Sequence, residues 1–427
     1  MPRVLLLLPT TTYRSEAFIA AATRLGVDVT VASERRNTLT HLNPSGLLTL
    51  DFKHPERAVK KVVDFSKSYP IDAVVPVDSE VTVVGALMAK ALGIRHNSPE
   101  SAIAASDKCH MRNLLQRGGV PCPEFQWIPF DSDREAWARQ LHYPSVVKPT
   151  TLSGSQGVIR VDSPEAFVAA AMRVERILKE EPPSTEGCDI SQDGFLVEHF
   201  VEGPEIALEG MLCHGKLSVL AIFDKPDPLD GPYFEETLYI TPSRHATSIQ
   251  EVMIGCVSQG AQALGLTEGP IHAELRWSNQ GPSLIEINAR SIGGLCSRTL
   301  RFGTGMSLES LILKHALHEE FVPPDCEARA SGVMMIPIPR TGIYQEVFGA
   351  SEAESIPGIE QLIISAHPGQ HLTCLPEGAQ YLGFLFARGE HPEEVEQALR
   401  ESFACLDFSI TTENVCDGQP GQLNEHG

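Results

Sequence analysis

Two short segments in the middle of the chain alternate apolar and polar residues, and they limit what it can fold into. Ile271-His-Ala-Glu-Leu-Arg-Trp277 and Pro282-Ser-Leu-Ile-Glu-Ile-Asn-Ala-Arg-Ser-Ile-Gly-Gly294 carry the two-residue period of strands, and Ser278-Asn-Gln-Gly281 between them is turn chemistry. Closing this hairpin with Trp277 opposite Ser283 predicts Glu274 opposite Glu286 and His272 opposite Asn288 on one face. Ile271, Ala273, Leu275 and Trp277 then share the core face with Ile285, Ile287 and Ala289. Two carboxylates directly across a strand pair repel unless something cationic sits between them. Two carboxylates and an amide, with no thiolate nearby, make an oxygen donor set that suits hard Mg²⁺, with Mn²⁺ as a substitute. Arg290 follows as a fixed cation able to grip a phosphoryl group or a carboxylate with two hydrogen bonds. A solvated polar face explains any one of these carboxylates alone. The whole set, followed by Gly293-Gly294, favours a metal–phosphate site.

The rest of the chain is read around that hairpin. At 427 residues it is too long for one simple core and implies two or three domains. A formal charge of −21 argues against general nucleic-acid binding, which needs a basic surface. The ten cysteines stand singly with no C-x-x-C pair, which points to reduced thiols rather than a zinc site or a disulfide framework. Met1–Pro9 is too short an apolar run for a signal peptide, and no run approaches a membrane span. The expectation is a cytoplasmic protein with no membrane partner.

Arg3–Leu8 reads as a buried parallel strand, Ser15–Leu25 as a helix stopped at Gly26, and Ile71–Val77 as another strand followed by a helix ending at Gly93. This alternation predicts an open α/β domain over residues 1–105. No G-x-G-x-x-G follows the first strand, which disfavours a dinucleotide site. Asp78-Ser-Glu80 lies at a strand's carboxyl end, where such sheets bind ligands, or caps a helix. Ser106-Asp-Lys108 starts a helix that ends at Gly118-Gly119. Residues 106–194 then carry a strand with Lys148, the loop Thr150–Gly157, and the helix Pro164–Leu178. Lys179–Gly194 reads as a mobile insertion. Residues 195–328 hold the hairpins of a larger sheet, residues 329–415 a C-terminal α+β subdomain, and Cys416–Gly427 (within 416–427) a disordered polar tail.

Several of these motifs resemble one family. Glu274, Glu286-Ile-Asn288 and Arg290 are similar to the magnesium signature of the ATP-grasp superfamily, although Ala289 stands where relatives often have proline. The glycine- and hydroxyl-rich loop after Val-Val-Lys148-Pro resembles that family's phosphate loop, and Lys108 and Lys148 its two phosphate lysines. Leu196-Val-Glu-His-Phe-Val-Glu-Gly-Pro-Glu205 resembles its hinge strand. The resemblance implies an ATP-grasp fold: an N-terminal open parallel α/β domain, a lid subdomain, and a large antiparallel sheet with a C-terminal appendage. It further implies that Ser153, Gly154, Ser155 and Gly157 cover phosphates, that Glu198 and Phe200 border adenine, and that Glu205 binds ribose. By the same resemblance Glu236, Tyr239 and Arg244 hold the acceptor amino acid beside Arg290, Gly293 and Gly294. Residues 342–387 look most like the carboxyl lobe of L-amino-acid (dipeptide) ligases and carnosine-synthase-like enzymes. The implied reaction is ATP- and Mg-dependent joining of a carboxylate to an amine through an acyl phosphate, with Lys148 and Arg290 catalytic and small amino acids as substrates. Homodimerisation is a family-level expectation. Other ATP-grasp reactions, of carboxylase or purine-pathway type, and a non-catalytic nucleotide binder remain alternatives.

Overall fold

The computed structural model describes residues 1–10, 12–36, 38–180, 193–303, 305–318 and 324–412. The polar tail and all but the ends of the Lys179–Gly194 insertion lie outside them. The described residues form four sheets.

The apolar run Arg3–Leu7 is an inner strand of a four-stranded parallel sheet, between Asp28–Ser33 and Ala73–Pro76, with Leu47–Thr49 beyond. Val4 and Leu6 face a core shared with the largest sheet, whereas Leu5 and Leu7 face Val62 and Val84 on the opposite side. Burial on both faces explains why the run has no polar alternation. The helices Ser15–Leu25 and Thr82–Leu92 end at Gly26 and Gly93, whose φ of 64° and 68° is the left-handed turn that glycine permits.

The second sheet is antiparallel, in the order Phe125–Pro129, Gly194–His199, Ser145–Lys148, Ile159–Val161. The helix Pro164–Glu180 lies against it through Phe167, Ala170, Ala171 and Val174, the i, i+3, i+4, i+7 stripe of a one-sided helix. The strand Gly194–His199, read from sequence as opening the larger sheet, pairs within this lid instead. Its entry and exit are adjacent, for the His199 amide donates to the Glu124 carbonyl at 2.8 Å. The crossing to the larger sheet falls at residues 200–204. There Gly203 has φ 109°, and a Cβ on it would stand 2.1 Å from the Trp277 carbonyl oxygen.

Eight antiparallel strands make the third sheet, running from Gly281–Asn288 at one edge through Gly269–Ser278, Glu205–Cys213, Lys216–Lys225, Leu238–Thr241, Ala330–Ile336 and Gly383–Gly389 to Ile359–Ile364. The C-terminal region is therefore split. Three of its strands extend the large sheet, while Gly342–Phe348, His371–Leu372 and Asp407–Thr411 form a sheet of their own. One face of the large sheet packs on the N-terminal domain through Ala207, Phe223 and Phe384. The other is covered by the helices Thr247–Ala263 and Pro392–Ala404. Among the described residues no helix is long and apolar enough to cross a membrane.

The central hairpin pairs Glu274 with Glu286 and His272 with Asn288, as the alternation predicts. Nearer the turn the prediction is off by one, because Trp277 opposes Pro282, not Ser283, and the register shifts between Glu274 and Leu275. Ile285 is the extra residue. This bulge sends Leu284 fully into the core and turns Ile285, expected inside, to the wall of the cleft.

Candidate active site

The lid, the large sheet and the N-terminal domain enclose a cleft of about 600 Å³. Sixteen of the residues proposed from sequence line it: Lys108, Lys148, Ser153, Gly154, Ser155, Glu198, Phe200, Glu205, Glu236, Tyr239, Glu274, Glu286, Asn288, Arg290, Gly293 and Gly294. Asp78, Ser79 and Glu80 also line it, and Ser79 Oγ accepts a 2.7 Å hydrogen bond from Arg290 Nε. The strand-end reading of that tripeptide is thus a positional contact that steadies the arginine.

Each cation is placed by a specific local device. Asp107 caps the helix Lys108–Arg117 by accepting from the His110 amide at 2.9 Å. That fixes Lys108, whose Nζ donates to the Leu152 carbonyl at 2.7 Å and lies 3.1 Å from Glu286 Oε1. Lys148 ends its strand with Nζ 2.5 Å from Glu198, and Arg112 Nε lies 2.7 Å from the same carboxylate. Glu198 therefore serves as the seat of Lys148 as well as part of the wall. Burial pulls Lys148 below the ordinary lysine range in spite of Glu198, whereas Lys148 and Arg112 hold Glu198 low against burial. Phe200 is flanked by the guanidinium groups of Arg160 and Arg276, 4.3 and 5.0 Å from its ring centre.

The metal-side carboxylates have a partner that the sequence reading missed. Lys225 Nζ lies 2.7 Å from Glu205, 2.5 Å from Glu236 and 3.2 Å from Glu274, with its side chain almost wholly buried. Arg276 Nε adds a second cation 2.9 Å from Glu205. Counting outward from the His214-Gly215 turn would set Asp224 opposite Glu205, but a register shift between Val219 and Ala221 brings Lys225 there. His272 bridges Glu209 and Glu274 at 3.2 and 3.4 Å, so it steadies the carboxylates and also lines the cleft. Burial opposes ionisation of Glu274, yet Lys225 and His272 keep it well below the usual carboxylate range. Burial pushes neighbouring Glu236 up to about 7, with Glu274 adding to the push and Lys225 resisting it. Tyr239, also buried, donates its hydroxyl to Glu236 at 3.1 Å.

Two sequence assignments move. Arg244 does not line the cleft; its Nε is 2.9 Å from Asp224 and its Nη1 2.7 Å from Glu396. Its second acid belongs to a helix 152 residues further along the chain, which no local pattern reveals. Gly157 also lies off the cleft wall, and its amide donates to the Pro376 carbonyl at 2.8 Å rather than facing a phosphate. The donor chemistry of Glu274, Glu286 and Asn288 fits Mg²⁺: all oxygen, two ionisable carboxylates face to face, and a lysine within reach of each. Glu205, Glu236 and Glu274 also converge closely enough to share an ion. Such an arrangement can bind a polyphosphate and hold an acid and an ammonium group beside it.

Comparison with known proteins agrees with this architecture. A model of the ATP-grasp domain matches residues 141–299, one of the ATP-grasp N-terminal domain matches 19–95, and one of the L-amino acid ligase C-terminal domain 2 matches 334–411. Alanine–anticapsin ligase of Bacillus subtilis is 26% identical over 293 residues, covering 62% of this chain and 60% of that protein. Dapdiamide A synthase of Enterobacter agglomerans is 27% identical over 321 residues, covering 71% and 72%. The chain spans about three fifths of the length of the first curated relatives it matches. In fold it is like the crystal structure of L-amino acid ligase from Bacillus licheniformis, with a TM-score of 0.77, 24% identity, and 96% and 99% of the two chains covered. Residues 141–299 thus match the ATP-grasp domain and residues 334–411 the L-amino acid ligase C-terminal domain 2, and the chain has the fold of an L-amino acid ligase.

Proposed function

We propose that this protein is an ATP-dependent ligase that joins the carboxylate of one amino acid, or a close analogue, to the amine of another through an acyl phosphate. ADP and inorganic phosphate are the other products. The observation that carries this reading is the convergence of Lys108, Lys148 and Arg290 with Glu274, Glu286 and Asn288 beside a pocket walled by Glu236 and Tyr239. The match of residues 334–411 to the L-amino acid ligase C-terminal domain favours amino acids over bicarbonate or a purine precursor.

The donor carboxylate attacks the γ-phosphorus of ATP, an anion approaching an anion. Lys108, Lys148 and Arg290 supply positive charge already fixed by Leu152, Glu198 and Ser79, so little reorganisation accompanies the reaction. Glu274, Glu286 and Asn288 would hold Mg²⁺, or Mn²⁺ in its place, which when bound neutralises phosphate charge and eases the departure of ADP. Glu198 and Phe200 border the adenine, and Glu205 takes the ribose hydroxyls. Ser153, Gly154 and Ser155 cover the phosphates. The acceptor's ammonium group sits against Glu236 and Tyr239, beside Gly293 and Gly294. Its nitrogen attacks the acyl carbon and expels phosphate once the proton has left. Glu236, titrating near neutrality, suits that proton transfer.

A matrix of amino-acid pairs, scored for phosphate release with mass detection of products, tests the proposal. Phosphate release driven by bicarbonate but by no amino-acid pair would refute it. Glu236 carries a pH prediction. Its pKa is raised to about 7, so it is neutral below that pH and anionic above it. The anion attracts the ammonium, so kcat/KM for the acceptor rises as pH increases through about 7. Glu236→Gln flattens that limb; a variant that kept it would remove Glu236 from the role. The reading also carries a cytoplasmic location and a homodimer, open to fractionation and light scattering.

A further inference from the structure

We propose that Glu377 is a positioning residue that clasps the glycine loop over the site, so that an activated carboxylate formed there meets an amine and not water. The inference rests on the reaction proposed above.

The segment from Thr373 to Tyr381 belongs to the C-terminal region, yet it runs along the cleft. Arg173, on the lid helix, holds Glu377 with two hydrogen bonds, Nε to Oε1 at 2.6 Å and Nη2 to Oε2 at 2.7 Å. Arg176, on the same face of that helix, adds a third at 2.9 Å. Two further bonds reach the glycine loop itself. Gln156 Nε2 donates to the Glu377 carbonyl at 2.7 Å, and the Gly157 amide donates to the Pro376 carbonyl at 2.8 Å. Gly154 completes the contact, since a Cβ there would come 3.3 Å from the Ala379 carbonyl oxygen. The same stretch ends at Tyr381, which lines the cleft near Glu236. One short segment thus touches the loop over the phosphates at one end and the amino-acid pocket at the other.

The clasp is planar and bidentate, the geometry that gives an Arg–carboxylate pair directional control. It is also partly exposed, with 35% of the Arg173 side chain and 25% of Glu377 accessible. Solvent screening keeps such a pair modest in stability, which suits a contact that opens for nucleotide and closes again. When the loop is open, water can attack the acyl phosphate. Its oxygen bonds to the acyl carbon, the carbon–oxygen bond to phosphate breaks, and the original carboxylate, inorganic phosphate and a proton are released. ATP is then consumed with no peptide made.

The 427-residue chain carrying Glu377→Gln tests this with two readouts. Hydrogen exchange at the Gly157 amide should quicken about tenfold or more, the effect of losing a charge-assisted bond on local opening. The ratio of ADP released to peptide formed should rise several-fold above the wild-type value, with ADP release itself retained. A purely structural role would lower both products together and leave the ratio alone. Arg173→Lys, which keeps the charge and loses the fork, should shift both readouts the same way and replaces Glu377→Gln if that variant does not fold. Unchanged exchange at Gly157 overturns the inference, whatever the ligase assay gives. Faster exchange with an unchanged ratio also overturns it. If wild-type protein joins no pair of substrates, the proposed reaction fails instead, and the exchange arm separately decides whether Glu377 clasps the loop.

Discussion

Glu286→Gln lowers ATP turnover by about two to three orders of magnitude, the cost typical of losing one preorganised electrostatic contact in an active site. The substitution keeps the side chain's shape and removes its charge. Opposite it stands Glu274, and Lys108 Nζ is 3.1 Å away. Two consequences follow from that placement. The oxygen donor set loses one of its two carboxylates, so the magnesium concentration for half-maximal turnover rises. Lys108 loses the carboxylate charge beside it and is held by its hydrogen bond to the Leu152 carbonyl. Steady-state ADP release across a magnesium titration measures both effects. Turnover and magnesium dependence matching the wild type would dismiss the assignment of this hairpin as a metal site. Thermal melting of the variant, expected to be close to wild type, separates loss of chemistry from loss of fold.

Lys225→Met has the largest expected effect on stability, about 3–5 kcal/mol at neutral pH, the range for stripping one partner from a buried ion group. Lys225 is buried among Glu205, Glu236 and Glu274, and the surrounding acids hold its own pKa well above the usual lysine value. Without it Glu205 keeps Arg276 and Glu274 keeps His272, but Glu236 loses its ion pair and faces the other two carboxylates. Glu236, already raised to about 7, then rises further, and Glu274 loses the cation that does most to hold it low, so the folded state binds more protons than the unfolded chain above the ordinary carboxylate range. Stability of the variant must therefore fall as pH rises above that range and recover on acidification. Urea unfolding at a series of pH values reads the slope directly. Millimolar Mg²⁺ should restore part of the loss, because ion binding to the folded state adds stability by mass action. An unfolding midpoint equal to wild type at neutral pH would mean that Lys225 is not the counter-ion of this group.

How much of this was readable from the residues differs from element to element. Strict alternation in Ile271–Trp277 and around Glu286 places the paired carboxylates correctly, because a two-residue period determines which side chains share a face. The same alternation fails at Ile285, since a bulge adds a residue without changing local composition. Glycines at helix ends mark Ser15–Leu25 and Thr82–Leu92 because the left-handed conformation has few other tenants. The helix Thr247–Ala263 goes unread: its buried side includes Gly260 and Ala261, whose small side chains give little apolar contrast. Lys225, Arg112 and Glu377 were missed for a shared reason. Each takes its meaning from a partner brought near by a bulge or by tertiary packing. Arg244 is the converse case, a charge that the family resemblance gives a substrate contact and whose neighbours in space are Asp224 and Glu396.

The lid starts and finishes a single hydrogen bond apart, at Glu124 and His199. A unit with neighbouring ends can be lifted out of a protein and another set in its place without stretching the recipient. Chimeras with proteins of this fold therefore have a natural two-point graft here. On the proposed function the phosphate contacts should travel with the transplant, which carries Lys148, the glycine loop and Glu198, while Phe200 and Glu205 stay with the host. The choice of amino acids should stay with the host, where Glu236, Tyr239 and Gly294 reside.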